Sequence, residues 1–293
     1  GGSTMGISMT QSLIDGLLMG GVYALAALGV SLIFGVMKIT NFAHGALITV
    51  GMFIAYLIFS TLGISPYASL PVTIIVMFLI GYGLQRITIN PIINAPSHNQ
   101  LLLTQGISIV LENLLLVIFT ANYKSVLLPG FDKAIRLGAF SINKPKLIAF
   151  GLVVVASLGV YLLLQKTDVG HAISATSVQR EGATLMGIKV EKINAVAFGI
   201  GVACAGVAGA LLAPIQYISP TVGGGFQLKC FVIAVFGGLG NIWGAVVAGL
   251  IIGVVESLAA LLLGGSWSEM VIYLIFILVL LFKPTGLFGK KTR

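Results

Sequence analysis

Charged side chains are scarce. Only 8% of the 293 residues are Asp, Glu, Lys or Arg, against roughly 25% in a soluble globular chain. Water cannot solvate a compact surface built from so few charges, so lipid must cover most of it. Acids are scarcest, with 8 Asp and Glu against 16 Lys and Arg, which leaves a formal net charge of +8. The cations form no stripe, so nucleic acid is not an expected partner. Cysteine is nearly absent. Cys204 and Cys230 are 26 residues apart in apolar surroundings, a spacing that fits no zinc or redox motif. They read as small packing residues. The chain has no G-x-x-x-x-G-K-[ST] phosphate loop. No nucleophile–base pair, paired carboxylates or metal constellation is apparent. Catalysis on a soluble substrate is therefore not expected, and neither is a cofactor in this chain.

Apolar side chains make up 58% of the sequence, the mean hydropathy is +1.09, and there are 38 glycines. A helix needs about 20 apolar residues to cross the hydrocarbon core. Such stretches are expected at 12–36, 42–63, 67–85, 101–121, 147–165, 192–216 and 267–283. A Gly-interrupted pair, 228–239 and 242–262, precedes the last. The runs are too long and too continuous for the alternating strands of a membrane barrel. The expected fold is an all-α, polytopic membrane helix bundle of about eight crossings with an interrupted helix. Glycines suit it, because small residues let helix backbones approach closely. Gly1–Thr4 resemble a tag remnant, and Met5 or Met9 reads as the native start. Residues 1–8 are taken as a stub and 9–293 as a single transmembrane domain. The first apolar stretch lacks a basic flank and is too long for a signal peptide.

Lys and Arg report orientation. With the N-terminus outside, Lys38, Arg86, Lys166, Arg180, Lys189, Lys192, Lys283, Lys290, Lys291 and Arg293 fall inside. Lys124, Lys133, Arg136, Lys144, Lys146 and Lys229 fall outside, most of them in a long external loop at 122–146. Short loops obey the rule better than long ones, so this orientation and a cytoplasmic C-terminus are expected.

Two places break the helical pattern in a related way. One contains Asn41, His44 and Gly45, and the other contains Gly238, Gly240 and Asn241. Small residues follow each at helical spacing: Gly45, Ala46 and Gly51, and Gly244, Ala245 and Gly249. Interrupted segments at corresponding places in two halves point to a transport pathway. Tight loops with Gly-mediated packing are the plainer alternative.

Residues 165–192, QKTDVGHAISATSVQREGATLMGIKVEK, are too polar to span and too long for a turn. Ile173, Thr176, Val178, Ala183, Leu185, Met186 and Ile188 recur at helical spacing. Ser174 and Ser177 are candidate N-caps, and Gly187 is a candidate left-handed C-cap. Two short helices at the cytoplasmic surface are expected, either docking a soluble partner or lying as an amphipathic pair on the membrane.

Glu181-Gly182-Ala183, followed three residues later by Gly187, resembles the E-A-A-x-x-x-G motif of ABC importer permeases, with Gly182 in place of the usual Ala. The run REGATLMGIKVEKINAVAFGIGVACAGVAGAL resembles the permease of branched-chain amino acid importers. So do GVYALAALGVSLIFGVMKITNFAHGALITVGMF, AVFGGLGNIWGAVVAGLIIGVVE and VLLFKPTGLFG. The four blocks stand in the family's order, and the resemblance runs from about Leu13 to Gly289. It implies an inner-membrane permease of the bacterial LIV type. Two separate cytoplasmic ATPase subunits would hold ATP and Mg. A homologous second permease would complete the pathway. A periplasmic or lipid-anchored binding protein would deliver solute to the 122–146 and 217–227 loops. Segment 166–191 would then couple to the ATPase, with Arg180, Glu181, Gly182, Ala183 and Gly187 shaping that contact. Similar permeases move urea and short amides, which stand as alternative solutes.

Ionisable residues inside a membrane are functional candidates by default. Glu112, beside Asn113, and Glu256 lie within expected spans, each placed to face a partner helix or pair with a Lys. Asp15 and Asp168 sit near span ends, and Trp243 and Trp267 read as interface markers. A stand-alone carrier or channel would need more embedded acids than these. A membrane enzyme would need His, Asp or Ser clustered near one interface.

Overall fold

The computed structural model describes residues 2–130, 134–137, 140–283 and 285–289. Four of the cations used for orientation, Lys133, Lys290, Lys291 and Arg293, lie outside the described residues. The fold is an all-α polytopic bundle. Its helices are α1 (Gly2–Met37), α2 (His44–Leu62), α3 (Leu70–Leu84), α4 (Ser97–Phe119), α5 (Lys144–Lys166), α6 (Asp168–Val178), α7 (Arg180–Leu185), α8 (Val190–Leu212), α9 (Gly223–Gly237), α10 (Ile242–Leu263) and α11 (Gly265–Phe282). A π-helical turn, Gln85–Ile89, and a 3-10 turn, Asn90–Ile92, prolong α3. Among the described residues, seven helices are long and apolar enough to cross a membrane, while α9 and α11 are shorter. Residues 2–8 of the stub are helical and continuous with α1.

The helix α8 is the centre. Its small side chains are buried almost without interruption from Asn194 to Leu212. Gly201 meets Gly29 and Ile33 of α1, Gly206 meets Met77 of α3, and Gly209 meets Ile48 of α2. Helices α1 and α10 pack antiparallel through paired glycines. A Cβ on Gly16 would sit 2.7 Å from the Gly253 carbonyl, and one on Gly20 would sit 2.9 Å from the Gly249 carbonyl. In lipid, where burying apolar surface drives little association, such close backbone approach supplies the packing energy.

Two polar faces cap the bundle at opposite ends. At one, Lys146 Nζ pairs with Asp15 at 3.2 Å. The Gln11 side chain both donates to the Ser141 carbonyl and accepts from its N–H. Ser141 belongs to a hairpin of β1 (Ile135–Leu137) and β2 (Phe140–Ile142), strands that an all-helical reading of the sequence did not anticipate. Lys124 pairs through its backbone with Ile218 on this face, which joins the two loops expected on one side. At the other end lie α6 and α7, and also the turn between α9 and α10. Lys229, counted above with the outer-loop cations, instead lies within α9. It makes ion pairs with Glu256 of α10 at 2.7 Å and Glu269 of α11 at 3.5 Å, under the Tyr23 ring.

Candidate functional site

The first helix break is a true interruption inside the bundle. After Met37 the chain does not simply turn into α2. Lys38 takes a positive φ of 58°, and residues 38–41 leave the helix and run back along α1. His44 Nε2 donates to the carbonyl of Ala26 at 2.9 Å. Ala26 lies eleven residues before the end of α1, or about 16 Å at 1.5 Å per residue. Helix α2 therefore starts deep in the bundle, level with the middle of α1. Helix α9 also starts there. A Cβ on Gly223 would lie 2.5 Å from the Gly45 carbonyl, so only glycines let the two helix starts meet.

Gln227 ties this junction together. Its Oε1 accepts from the Gly45 N–H at 2.6 Å, and its Nε2 donates to the Asn41 carbonyl at 3.2 Å. The Asn41 side-chain oxygen accepts from the Ala43 N–H at 3.0 Å. Gln227 thus serves as the cap that α2 lacks, since Ala43 supplies no side-chain cap. Asn41, His44 and Gly45 are all buried here. Gln227 was missed from the sequence. The available signal was a lone amide in an apolar helix, but its partners are 182 and 186 residues away.

The second break gathers different partners. Gly238–Asn241 is a tight reversal that folds α10 back onto α9, with Gly238 at φ 92° and Gly240 at φ 84°. The Asn241 side chain caps α10 by accepting from the Gly244 N–H at 3.1 Å, and it donates to the Phe288 carbonyl at 3.0 Å. Leu287 N–H donates to the Phe236 carbonyl at 2.8 Å, so residues 286–289 cover the turn. Gly240 also abuts Gly35 near the end of α1. The two breaks share an Asn that orders a helix start, but they do not converge on one site.

Beside the first break is a cavity of about 260 Å³ between α4, α2 and the start of α9. Gln105, Ser108 and Glu112 line it from one face of α4, opposite Phe42, Gly224 and Gln227. Among the described residues Glu112 has no ion pair, although a partner helix or a Lys was a reading of its position. A larger cavity, about 650 Å³ between α3, α5 and α8, is lined almost wholly by aliphatic side chains and offers little to a polar solute.

The surface pair α6–α7 is built as two short helices. Thr167, not Ser174 or Ser177, caps α6, accepting from the Gly170 N–H at 3.1 Å. The Ser177 hydroxyl donates to the Ser174 carbonyl inside the same helix. Ser177 bonds back inside α6, while Thr167, in extended backbone, has the N-cap geometry. Gly187 ends α7 at φ 84°. Gly187 N–H bonds the Thr184 carbonyl and Ile188 N–H bonds the Ala183 carbonyl, a Schellman termination. Gly182, where the motif usually has Ala, has Gln179 Oε1 3.3 Å from an added Cβ, so an Ala there needs only a small side-chain shift.

The apolar positions of this pair divide into two sets. Ile173, Thr176 and Ala183 are buried against the bundle. Val178, Leu185 and Met186 are 87%, 88% and 83% exposed. Glu181 is exposed and Arg180 half-buried, and neither has an ion-pair partner among the described residues.

Among the described residues, seven helices long and apolar enough to cross a membrane, one of them the buried small-residue core helix, mark a multi-pass membrane protein. The chain belongs to the family described as "Branched-chain amino acid transport system / permease component", which it matches over residues 12–280. It is 32% identical to the high-affinity branched-chain amino acid transport system permease protein BraD of Pseudomonas aeruginosa, over 96% of this chain and 95% of the relative. It is 30% identical to the corresponding permease protein LivH of Escherichia coli, over 96% and 95%. The probable branched-chain amino acid transport permease protein LivH of Methanocaldococcus jannaschii is also 30% identical, over 90% of this chain and 88% of the relative. No solved structure matches significantly.

Proposed function

We propose that this chain is one permease half of an importer for branched-chain or related amino acids, driven by two separate cytoplasmic ATPase subunits that bind ATP and Mg. A homologous second permease completes the pathway, and a periplasmic or lipid-anchored binding protein delivers solute. The chain itself is not an enzyme. The observation that carries this reading is the α6–α7 surface. Three large apolar side chains, Val178, Leu185 and Met186, stand exposed beside Glu181 and Arg180 on a polar, extramembrane element. Water disfavours that arrangement, a protein groove or a membrane surface favours it, and the exposed Glu181 between these side chains suits a protein groove better than lipid. The pair follows directly on α5 and leads into α8, the buried axis of the bundle, so a push on it moves the core.

The orientation follows from the same reading. The α6–α7 end faces the cytoplasm with the C-terminus. The Asp15–Lys146 end, the β1–β2 hairpin and the N-terminus face outside, where the Lys124–Ile218 contact joins the 122–146 and 217–227 loops into one receiving surface.

Proteoliposomes test the proposal. The chain assembled with its second permease and ATPases is expected to accumulate radiolabelled leucine only with ATP inside the ATPase compartment and binding protein opposite. Leucine uptake by the chain alone, or uptake indifferent to ATP, overturns it. Uptake of urea but not of leucine would move the assignment to the short-amide branch.

A further inference from the structure

The polar cavity beside the first helix break has a definite chemistry. Gln105, Ser108 and Glu112 stand at i, i+3 and i+7 on α4, which puts them on one helix face. All three line the cavity, and no side-chain hydrogen bond or ion pair links any of them to another described residue. A carboxylate at bundle depth is costly in lipid. It is tolerated where water, a protein hydrogen-bonding group or a cation meets it, or where it takes up a proton. The opposite wall is different. Gln227 is 8% exposed and already committed to Gly45 and Asn41, so it holds the wall rigid. Gly223 and Gly224 bring bare backbone to the cavity edge, and an added Cβ on Gly224 would meet nothing within 4 Å. Phe42 supplies an apolar side. The cavity therefore offers one acid, two neutral hydrogen-bonding groups, open backbone and an aromatic surface.

We propose that this cavity is a solute-binding station in the permease itself, taking a small zwitterion with an apolar side chain, and that Glu112 receives its ammonium group. This rests on the importer reading above and gives it a location. Ser108 and Gln105 bond the polar end, and Phe42 packs against the aliphatic part. The open side of the cavity then faces the second permease rather than lipid.

Two measurements on the assembled transporter test this. Glu112→Gln keeps the shape and hydrogen bonding of the side chain and removes its charge. Leucine uptake is expected to fall at least tenfold, with ATPase activity and assembly unchanged, and Glu112→Asp is expected to recover part of it. Ser108→Cys is expected to react with a water-soluble methanethiosulfonate and to be protected when leucine-loaded binding protein is added. Wild-type-like uptake by Glu112→Gln overturns the proposal, and so does a Ser108→Cys thiol that is inert or unprotected. A wild-type complex that moves neither leucine nor urea defeats the importer reading instead, and the two failures are thereby separable.

Discussion

Lys229→Met is expected to be among the most destabilising single substitutions in this chain. Lys229 and Glu256 are largely shielded, with 12% and 18% side-chain exposure, and they pair at 2.7 Å. Removing one partner of a fully buried ion pair costs about 3–5 kcal/mol, because the other charge stays desolvated and uncompensated, and this part-buried pair falls toward the low end of that range. Glu269, 56% exposed, can still be hydrated, but as a second acid it adds repulsion to Glu256 once the lysine is gone. The damage falls on three elements at once, since Lys229 is on α9, Glu256 on α10 and Glu269 on α11. Thermal unfolding in detergent, read by fluorescence-detected size exclusion, is expected to show a markedly lower midpoint for Lys229→Met. The double variant Lys229→Met/Glu256→Met is expected to regain most of it, because two well-packed apolar side chains replace the pair without leaving a lone charge. An unchanged midpoint in the single variant would mean that the pair is not buried as described.

Glu181→Lys is expected to leave the protein folded and to disconnect ATP hydrolysis from uptake. Glu181 is exposed in the first turn of α7, so its favourable contact with the helix dipole is worth only about 0.3–1 kcal/mol. That loss is too small to unfold the bundle. Reversing a charge at a docking surface is different, because like charges facing each other across an interface cost several kcal/mol. Uptake is expected to fall at least tenfold while ATPase activity persists and the unfolding midpoint moves little. Full uptake in Glu181→Lys would remove Glu181 from the coupling surface.

What the sequence made legible follows the range of the forces involved. The crossings could be read because composition and run length decide them locally. Gly187 could be read because a left-handed termination needs glycine whatever the surroundings. Ser174 and Ser177 stood as candidate caps because N-cap preference marks several residue types, while only backbone geometry selects Thr167 for α6. The β1–β2 hairpin was missed because three-residue strands carry almost no periodicity. The first break was recognised as unusual, but its depth was not. That depth depends on the His44–Ala26 bond and on Gln227, whose partners are far away in the chain. The two breaks look alike in sequence because each needs an Asn and small residues to begin a helix. They differ in place because one meets α9 inside the bundle and the other is covered by residues 286–289.

The central claim is that α6 and α7 are held by a motor subunit, and a thiol on Met186 tests it most directly. The natural cysteines, Cys204 and Cys230, are buried, so Met186→Cys would place an accessible thiol where the side chain is 83% exposed. Maleimide is expected to label this thiol rapidly in the isolated permease and at least tenfold more slowly once the ATPase subunits are bound. An equal rate in the presence and absence of those subunits would contradict the docking role.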